Sequence, residues 1–197
     1  MSIFTIALTF FLVTNPIGNT PAIVALVKDF DFDRQKKILL REAIFSLLIA
    51  IFFQFFGEMF LTRLKIMDFA VTLCGGTLLF LTALNMIFPQ DTSTNSGSTL
   101  KQDPFIVPIA TPLLSGPGLL TIIMLYSKQE ANDIKILSAI LIAWVGVIAV
   151  MAGAPYLQRL IGRKGLIALE QVMGMILAMI SMEMIVNGMK IFIHTLH

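Results

Sequence analysis

The stretch SIFTIALTFFLVTNPIGNTPAIVALV, residues 2–27, contains no charged side chain over 26 positions. A helix needs about 20 apolar residues to cross a hydrocarbon core of about 30 Å, so this stretch is long enough to span a membrane. Its second half is interrupted by Pro16, Gly18 and Pro21. The segment therefore predicts a membrane-spanning helix that is broken partway along its length.

Three further uncharged runs are also long enough to span a membrane, namely residues 69–90, 104–127 and 136–158. Apolar residues make up 57% of the 197-residue chain and charged residues only 13%, about half the share usual in soluble domains. So little polar surface could not cover a soluble globule. The net charge of +2 gives no case for nucleic acid as a partner.

Two weaker segments complete the predicted set of spans. Residues 43–57 are uncharged and reach the required length only if Glu42 and Glu58 lie at the membrane interfaces. Residues 166–193 are apolar but include Glu183. We therefore predict an all-α integral membrane protein with six transmembrane helices. Under this plan nine Lys and Arg fall on one side and five on the other, which predicts that both termini lie outside the cell.

The chain also resembles itself weakly, which predicts two repeats. Offsets of 101 and 98 align Pro16 with Pro117, Thr20 with Thr121, Gly76 with Gly174, and Asn85 with Glu183. With three spans per half, the second half enters the membrane from the opposite side, as in the inverted repeats of many secondary transporters. We divide the single transmembrane domain into halves 1–89 and 104–197, joined by the polar linker 90–103.

Proline and glycine cluster in the first and fourth spans, and we expect both of these helices to be broken. Proline removes a backbone donor and clashes with the preceding turn, while glycine loosens it. Pro16 and Pro117 each lie roughly 20 Å along their uncharged runs, near the middle of the membrane. The predicted substrate-binding residues are those at the two breaks: Asn15, Pro16, Gly18, Asn19, Thr20, Thr111, Ser115, Gly116, Pro117, Gly118 and Thr121.

Backbone groups freed at a break cannot face lipid, because an unpaired polar group there costs several kcal/mol. A restarted helix offers free N–H groups and a partial positive charge, which suit a carboxylate. Carbonyls upstream of the break suit an ammonium group. The combination predicts a site for a small zwitterion.

At these residues the chain resembles the MarC family of six-span inner-membrane proteins. The resemblance rests on NPIGNTP at 15–21, GGTLLFL at 75–81, PIATPLLSGPG at 108–118, and MGMIL at 173–177 with Asn187-Gly188. It implies a multi-pass protein of the inner, cytoplasmic membrane. It also implies transport of neutral amino acids, glycine and alanine, which is the activity of the SnatA branch, and a distant relation to LysE-group exporters.

Three polar residues outside the breaks are candidates for coupling transport to Na+ or H+: Glu183, Asn187 and Asn85. The residue types leave other functions open, namely a LysE-like exporter of metal ions or other small metabolites, or a membrane protein that transports nothing.

No span carries a His-rich, paired-acid or Ser–Lys arrangement, so we expect no enzyme activity. The chain has one cysteine and two histidines, so we expect no metal site and no cofactor. Expected partners are a neutral amino acid, the lipid bilayer and a second copy of the chain.

Overall fold

The computed structural model describes residues 2–28, 30–88, 114–130 and 132–196, and the regular structure in these ranges is helical. The helices are α1 (Ile3–Thr14), α2 (Thr20–Val27), α3 (Phe32–Arg63), α4 (Asp68–Ile87), α5 (Pro117–Gln129) and α6 (Asp133–Leu196). Gly162 interrupts α6 with φ 70° and ψ 176°, a backbone conformation that glycine adopts without steric cost. We call the two resulting helices α6a (Asp133–Leu157) and α6b (Lys164–Thr195).

Four of these helices, α3, α4, α6a and α6b, are long and apolar enough to cross a membrane. Helix α1 is apolar but shorter. These helices confirm the predicted all-α membrane class. The six-span arrangement in two inverted repeats stays a prediction, and the predicted linker 90–103 lies outside the described residues.

Helix α3 differs from the sequence-based prediction because it begins ten residues before Glu42, at Phe32. Asp33 in its first turn and Arg63 in its last turn both complement the helix dipole. Glu42 is 0% exposed and is therefore buried within the helical bundle; that it lies at a membrane interface stays a prediction. Glu58, by contrast, is exposed.

Helices α4 and α6b pack against each other in antiparallel fashion through three glycines. Gly188 faces Leu73, Gly76 faces Ser181 and Ile185, and Gly174 faces Ala83 and Met86. A Cβ atom on Gly76 would lie 3.1 Å from the Ser181 carbonyl oxygen, so the two backbones approach closely. Small residues permit such an approach between membrane helices.

Helices α3 and α6a are also antiparallel, and hydrogen bonds fix their register. Gln54 Nε2 donates to the carbonyl of Asp133 at 2.9 Å, near the start of α6a. The indole Nε1 of the fully buried Trp144 donates to the carbonyl of Ala43 at 3.0 Å. This pairing places residues 42–46 of α3 at the same depth as the middle of α6a.

Charged pairs join the helices at one end of the bundle. Lys128 Nζ lies 2.7 Å from Asp68 Oδ1, which ties the end of α5 to the start of α4. Lys135 Nζ lies 2.6 Å from Glu130 Oε2, and this hydrogen bond is the largest cause that lowers the pKa of the Glu130 carboxyl. The Lys128–Asp68 pair marks the start of α4 and serves below as the reference for positions along this helix.

Candidate functional site: a cavity between two helix breaks

The first span is broken at residues 15–19, as predicted. Asn15 adopts the left-handed conformation, with φ 49° and ψ 50°, and its N–H donates to the carbonyl of Phe11. Because Pro16 has no N–H, the carbonyl of Leu12 loses the donor that a continuing helix would supply. The chain becomes helical again at Thr20. The C-terminal end of α1 therefore presents unused carbonyls at the break.

Amide side chains hold this break in shape. Asn15 Oδ1 accepts a hydrogen bond from the N–H of Gly18 at 3.2 Å, and Asn15 Nδ2 lies 3.2 Å from the sulfur of Met86 on α4. Asn19 Nδ2 donates to the carbonyl of Thr14 at 3.2 Å. A Cβ atom on Gly18 would collide with Met86 and with the Asn15 amide. The residue types in the motif are therefore dictated by the turn itself.

Helix α5 begins where the sequence predicts the second break. Gly116 is extended, with φ −66° and ψ 159°, and Pro117 is the first helical residue. The N–H of Leu120 donates to the carbonyl of Gly116. The N–H groups of Gly118 and Leu119 precede this first intrahelical bond, so α5 presents them at its start. The upstream part of the predicted fourth span, including Thr111, lies outside the described residues.

Each break contains a threonine whose hydroxyl bonds back to a proline carbonyl. The Thr20 hydroxyl donates to the carbonyl of Pro16 at 2.9 Å, and the Thr121 hydroxyl donates to the carbonyl of Pro117 at 2.9 Å. Other helical threonines of the chain, such as Thr14 and Thr72, make the same bond to the carbonyl four residues before them. The bond therefore satisfies the hydroxyl locally at each break.

Helix α5 is fixed against α3 and α4 by buried contacts. The Ser115 hydroxyl donates to the carbonyl of Ser46 at 2.9 Å, and the two serine oxygens are 2.8 Å apart. A Cβ atom on Gly118 would collide with the Leu79 side chain, and one on Gly75 would lie 2.5 Å from Thr121. Ser115 and Thr121 are therefore held by contacts with neighbouring helices.

A cavity of about 270 Å³ lies between the two breaks. Its described lining comprises Val13, Asn15 and Asn19 from the first break; Leu114, Gly116, Pro117, Gly118 and Leu119 from the second; Leu78, Leu79 and Thr82 from α4; and Leu177 from α6b. Five predicted site residues thus meet around one cavity. The α1 end contributes a partial negative charge and the α5 start a partial positive one.

The other predicted residues take different places. Pro16, Gly18 and Thr20 shape the first break, while Ser115 and Thr121 anchor α5. The coupling candidates Asn85, Glu183 and Asn187 are exposed on α4 and α6b. They are not among the described residues that line the cavity.

The breaks also contact α4 at different depths. Gly118 meets Leu79, and Asn15 meets Met86, seven residues further along α4. That is about 10 Å of helix rise. Leu79 is eleven residues beyond Asp68, about 16 Å from the ion pair with Lys128 and close to mid-membrane. The first break lies nearer the opposite end of α4.

Sequence reasoning did not identify the lining residues of α4 and α6b. Leu78, Leu79 and Leu177 are leucines among many in apolar helices, and no local signal separates a lining leucine from one facing lipid.

Within the described ranges, no three His, Cys, Asp or Glu side chains are grouped so that they could hold a metal ion.

Comparisons with known proteins agree with the sequence motifs. The model of the MarC family of integral membrane proteins matches residues 1–193. A UPF0056 membrane protein of Buchnera aphidicola subsp. Baizongia pistaciae is 39% identical over 191 residues, covering 95% of this chain and 96% of the relative. The UPF0056 inner membrane protein YhgN of Escherichia coli K12 is 36% identical over 191 residues, covering 96% and 97%. No solved structure matches. The chain belongs to the MarC family of integral membrane proteins.

Proposed function

We propose that this protein is a transporter of small neutral amino acids, of the glycine or alanine type, in the inner membrane. The observation that carries the proposal is the cavity between the two helix breaks. It brings the end of one helix and the start of another to the same partly open cavity. Discontinuous membrane helices bind substrates in this manner in many secondary transporters.

The two helix ends offer complementary partners for a zwitterion. A carboxylate can accept hydrogen bonds from the N–H groups of Gly118 and Leu119, where the dipole of α5 is positive. An ammonium group can donate to carbonyls at the end of α1 and to the amide oxygen of Asn19. The ligand's two charges are thus matched by partial charges.

The described lining residues favour a small solute without net charge. None of them is an acid or a base, so a charged side chain on the ligand would be desolvated without an ionic partner. A volume of about 270 Å³ corresponds to roughly nine water molecules by their share of liquid volume. This space has room for glycine or alanine with some water.

Transport would follow alternating access around this cavity. Rocking of one half against the other can expose a fixed site to each side in turn. We expect the exposed apolar surfaces of α3 and α6b to face lipid, and we propose that both termini lie outside the cell.

The test is counterflow of labelled alanine in proteoliposomes loaded with unlabelled alanine. We expect the wild-type protein to exchange alanine, and Asn19→Ala to slow exchange about tenfold, as the loss of about one hydrogen bond predicts. Gly153→Ala is the matched control, because a Cβ atom there meets no heavy atom within 4 Å. Propionate and ethylamine, which each lack one of the two charges, should not compete with alanine.

Wild-type proteoliposomes that exchange none of a panel of neutral amino acids would refute the proposal. Divalent-cation flux under the same conditions would instead favour an exporter of LysE-like type. If Asn19→Ala exchanges alanine as fast as the wild type, Asn19 is not part of the site.

A further inference from the structure

Glu42 is a fully buried carboxylate in the first half of α3, and it is not among the residues that line the cavity. Its residue is 0% exposed. It is adjacent to Ala43, whose carbonyl accepts the Trp144 indole near the middle of α6a. A buried acid in a helix that spans the membrane is costly, and it commonly marks an ion or proton pathway.

The two carboxylate oxygens of Glu42 have different environments. Oε1 accepts a hydrogen bond from Arg41 Nε at 3.1 Å and lies 3.0 Å from Arg41 Nη2. Oε2 is buried and has no hydrogen-bond partner among the described residues. A buried acceptor that is left unpaired costs about 1–3 kcal/mol or more when it is charged. Oε2 is therefore the one carboxylate oxygen of Glu42 whose lone pairs have no described partner.

The charged groups near Glu42 are few. Helices α5 and α6 pack against α3, and residues 104–127 and 136–158 carry no charge. Charged residues of other segments reach α3 near its ends: Asp133 at Gln54, and Arg159 over the Phe32 ring, where Lys36 of α3 itself also lies. Among the described residues, the charge that faces the Glu42 carboxylate is thus that of Arg41, which is partly exposed.

Glu42 is also connected to the second helix break. Ser46 lies one helical turn further along α3, on the same face as Glu42. Its hydroxyl oxygen is 2.8 Å from that of Ser115. Ser115 precedes Gly116, which lines the cavity. The polar contact between α3 and the start of α5 therefore lies one helical turn from Glu42.

We propose that Glu42 is the proton-binding site that couples solute transport to a proton gradient, an inference that rests on the proposed function. Oε2 takes up a proton from one side of the membrane and releases it to the other, while the solute occupies the cavity. One proton then moves with one zwitterion, so that each cycle carries one net positive charge. A proton needs a single lone pair, which matches the one unpaired oxygen.

Two assays on Glu42→Gln proteoliposomes test this inference separately from the proposed function. Counterflow of alanine without a gradient tests transport alone, and we expect the variant to retain it, because glutamine resembles the protonated acid. Accumulation of alanine driven by a pH gradient tests coupling. At one proton per solute, wild type should accumulate alanine about tenfold per unit of pH gradient, and the variant should not accumulate it. Glu58→Gln, which alters an exposed acid on the same helix, should behave as wild type.

Several outcomes would overturn the inference. Gradient-driven accumulation by Glu42→Gln would do so, as would wild-type exchange that responds to a sodium gradient and not to a pH gradient. Absence of counterflow in the wild type would refute the proposed function instead. Glu42→Asp gives a second measurement that does not depend on the glutamine variant. It should keep gradient-driven uptake with a shifted pH midpoint, and an unchanged midpoint would contradict the role of Glu42.

Discussion

Replacing Gly118 by alanine should destabilise the protein at the α4–α5 contact that shapes the cavity. The new Cβ atom would collide with the Leu79 side chain, and overpacking of this kind costs about 1–3 kcal/mol. At Gly153, a Cβ atom meets nothing within 4 Å, so Gly153→Ala should gain about 0.5–1 kcal/mol from the helix alone. Because both variants replace a helical glycine by alanine, this gain cancels, and they should differ by about 1–3 kcal/mol in their free energies of unfolding.

Thermal or denaturant unfolding in detergent measures this difference, and Leu79→Ala provides a check on its cause. In the double variant, the space left by Leu79 should accept the new methyl group. The combined effect should then be smaller than the sum of the single effects by about 0.5–3 kcal/mol. If Gly118→Ala unfolds like Gly153→Ala, or if the double variant is strictly additive, the described packing at the second break is incorrect.

Three further predictions follow from local contacts. Asn15→Gly should be more stable than Asn15→Ala by about 1–2 kcal/mol, because alanine must adopt a left-handed backbone, and equal melting temperatures would contradict the turn. Trp144→Phe should lower stability by about 0.5–1.5 kcal/mol or more through loss of the indole hydrogen bond to the carbonyl of Ala43, and an unchanged melting temperature would contradict that hydrogen bond. The pKa of Glu130 is lowered chiefly by its hydrogen bond to Lys135. This pair therefore stabilises the folded protein at neutral pH, and its contribution is lost as the pH falls through the folded-state pKa of Glu130. Lys135→Gln should therefore show weaker acid sensitivity in melting curves, and identical pH profiles would contradict the pairing.

The helix breaks were predictable because their causes are local. Pro16 and Pro117 lack N–H groups wherever they stand in a helix, and the neighbouring glycines and asparagines permit the turns that follow. The long uncharged runs likewise give the membrane class from length alone. These features depend on covalent chemistry and segment length, which the sequence states directly.

Features that depend on the direction in which a helix faces were not predictable in the same way. In a membrane, apolar side chains point both toward lipid and toward the protein interior, so hydropathy does not distinguish the two sides of a helix. The sequence therefore did not show that Glu42 is buried against neighbouring helices, ten positions after its helix begins at Phe32. For the same reason the sequence did not show that Glu183 lies on the surface or that Leu79 lines the cavity.

The most direct test of a solute site between the breaks is protection from chemical labelling. Asn19→Cys, in a Cys74→Ser background, places a thiol on the cavity wall. We expect alanine to slow its reaction with a small thiol reagent, while propionate and ethylamine leave the rate unchanged. Gly153→Cys in the same background should react at one rate with or without alanine. Labelling of Asn19→Cys that is equally fast in saturating alanine would contradict a binding site between the two breaks.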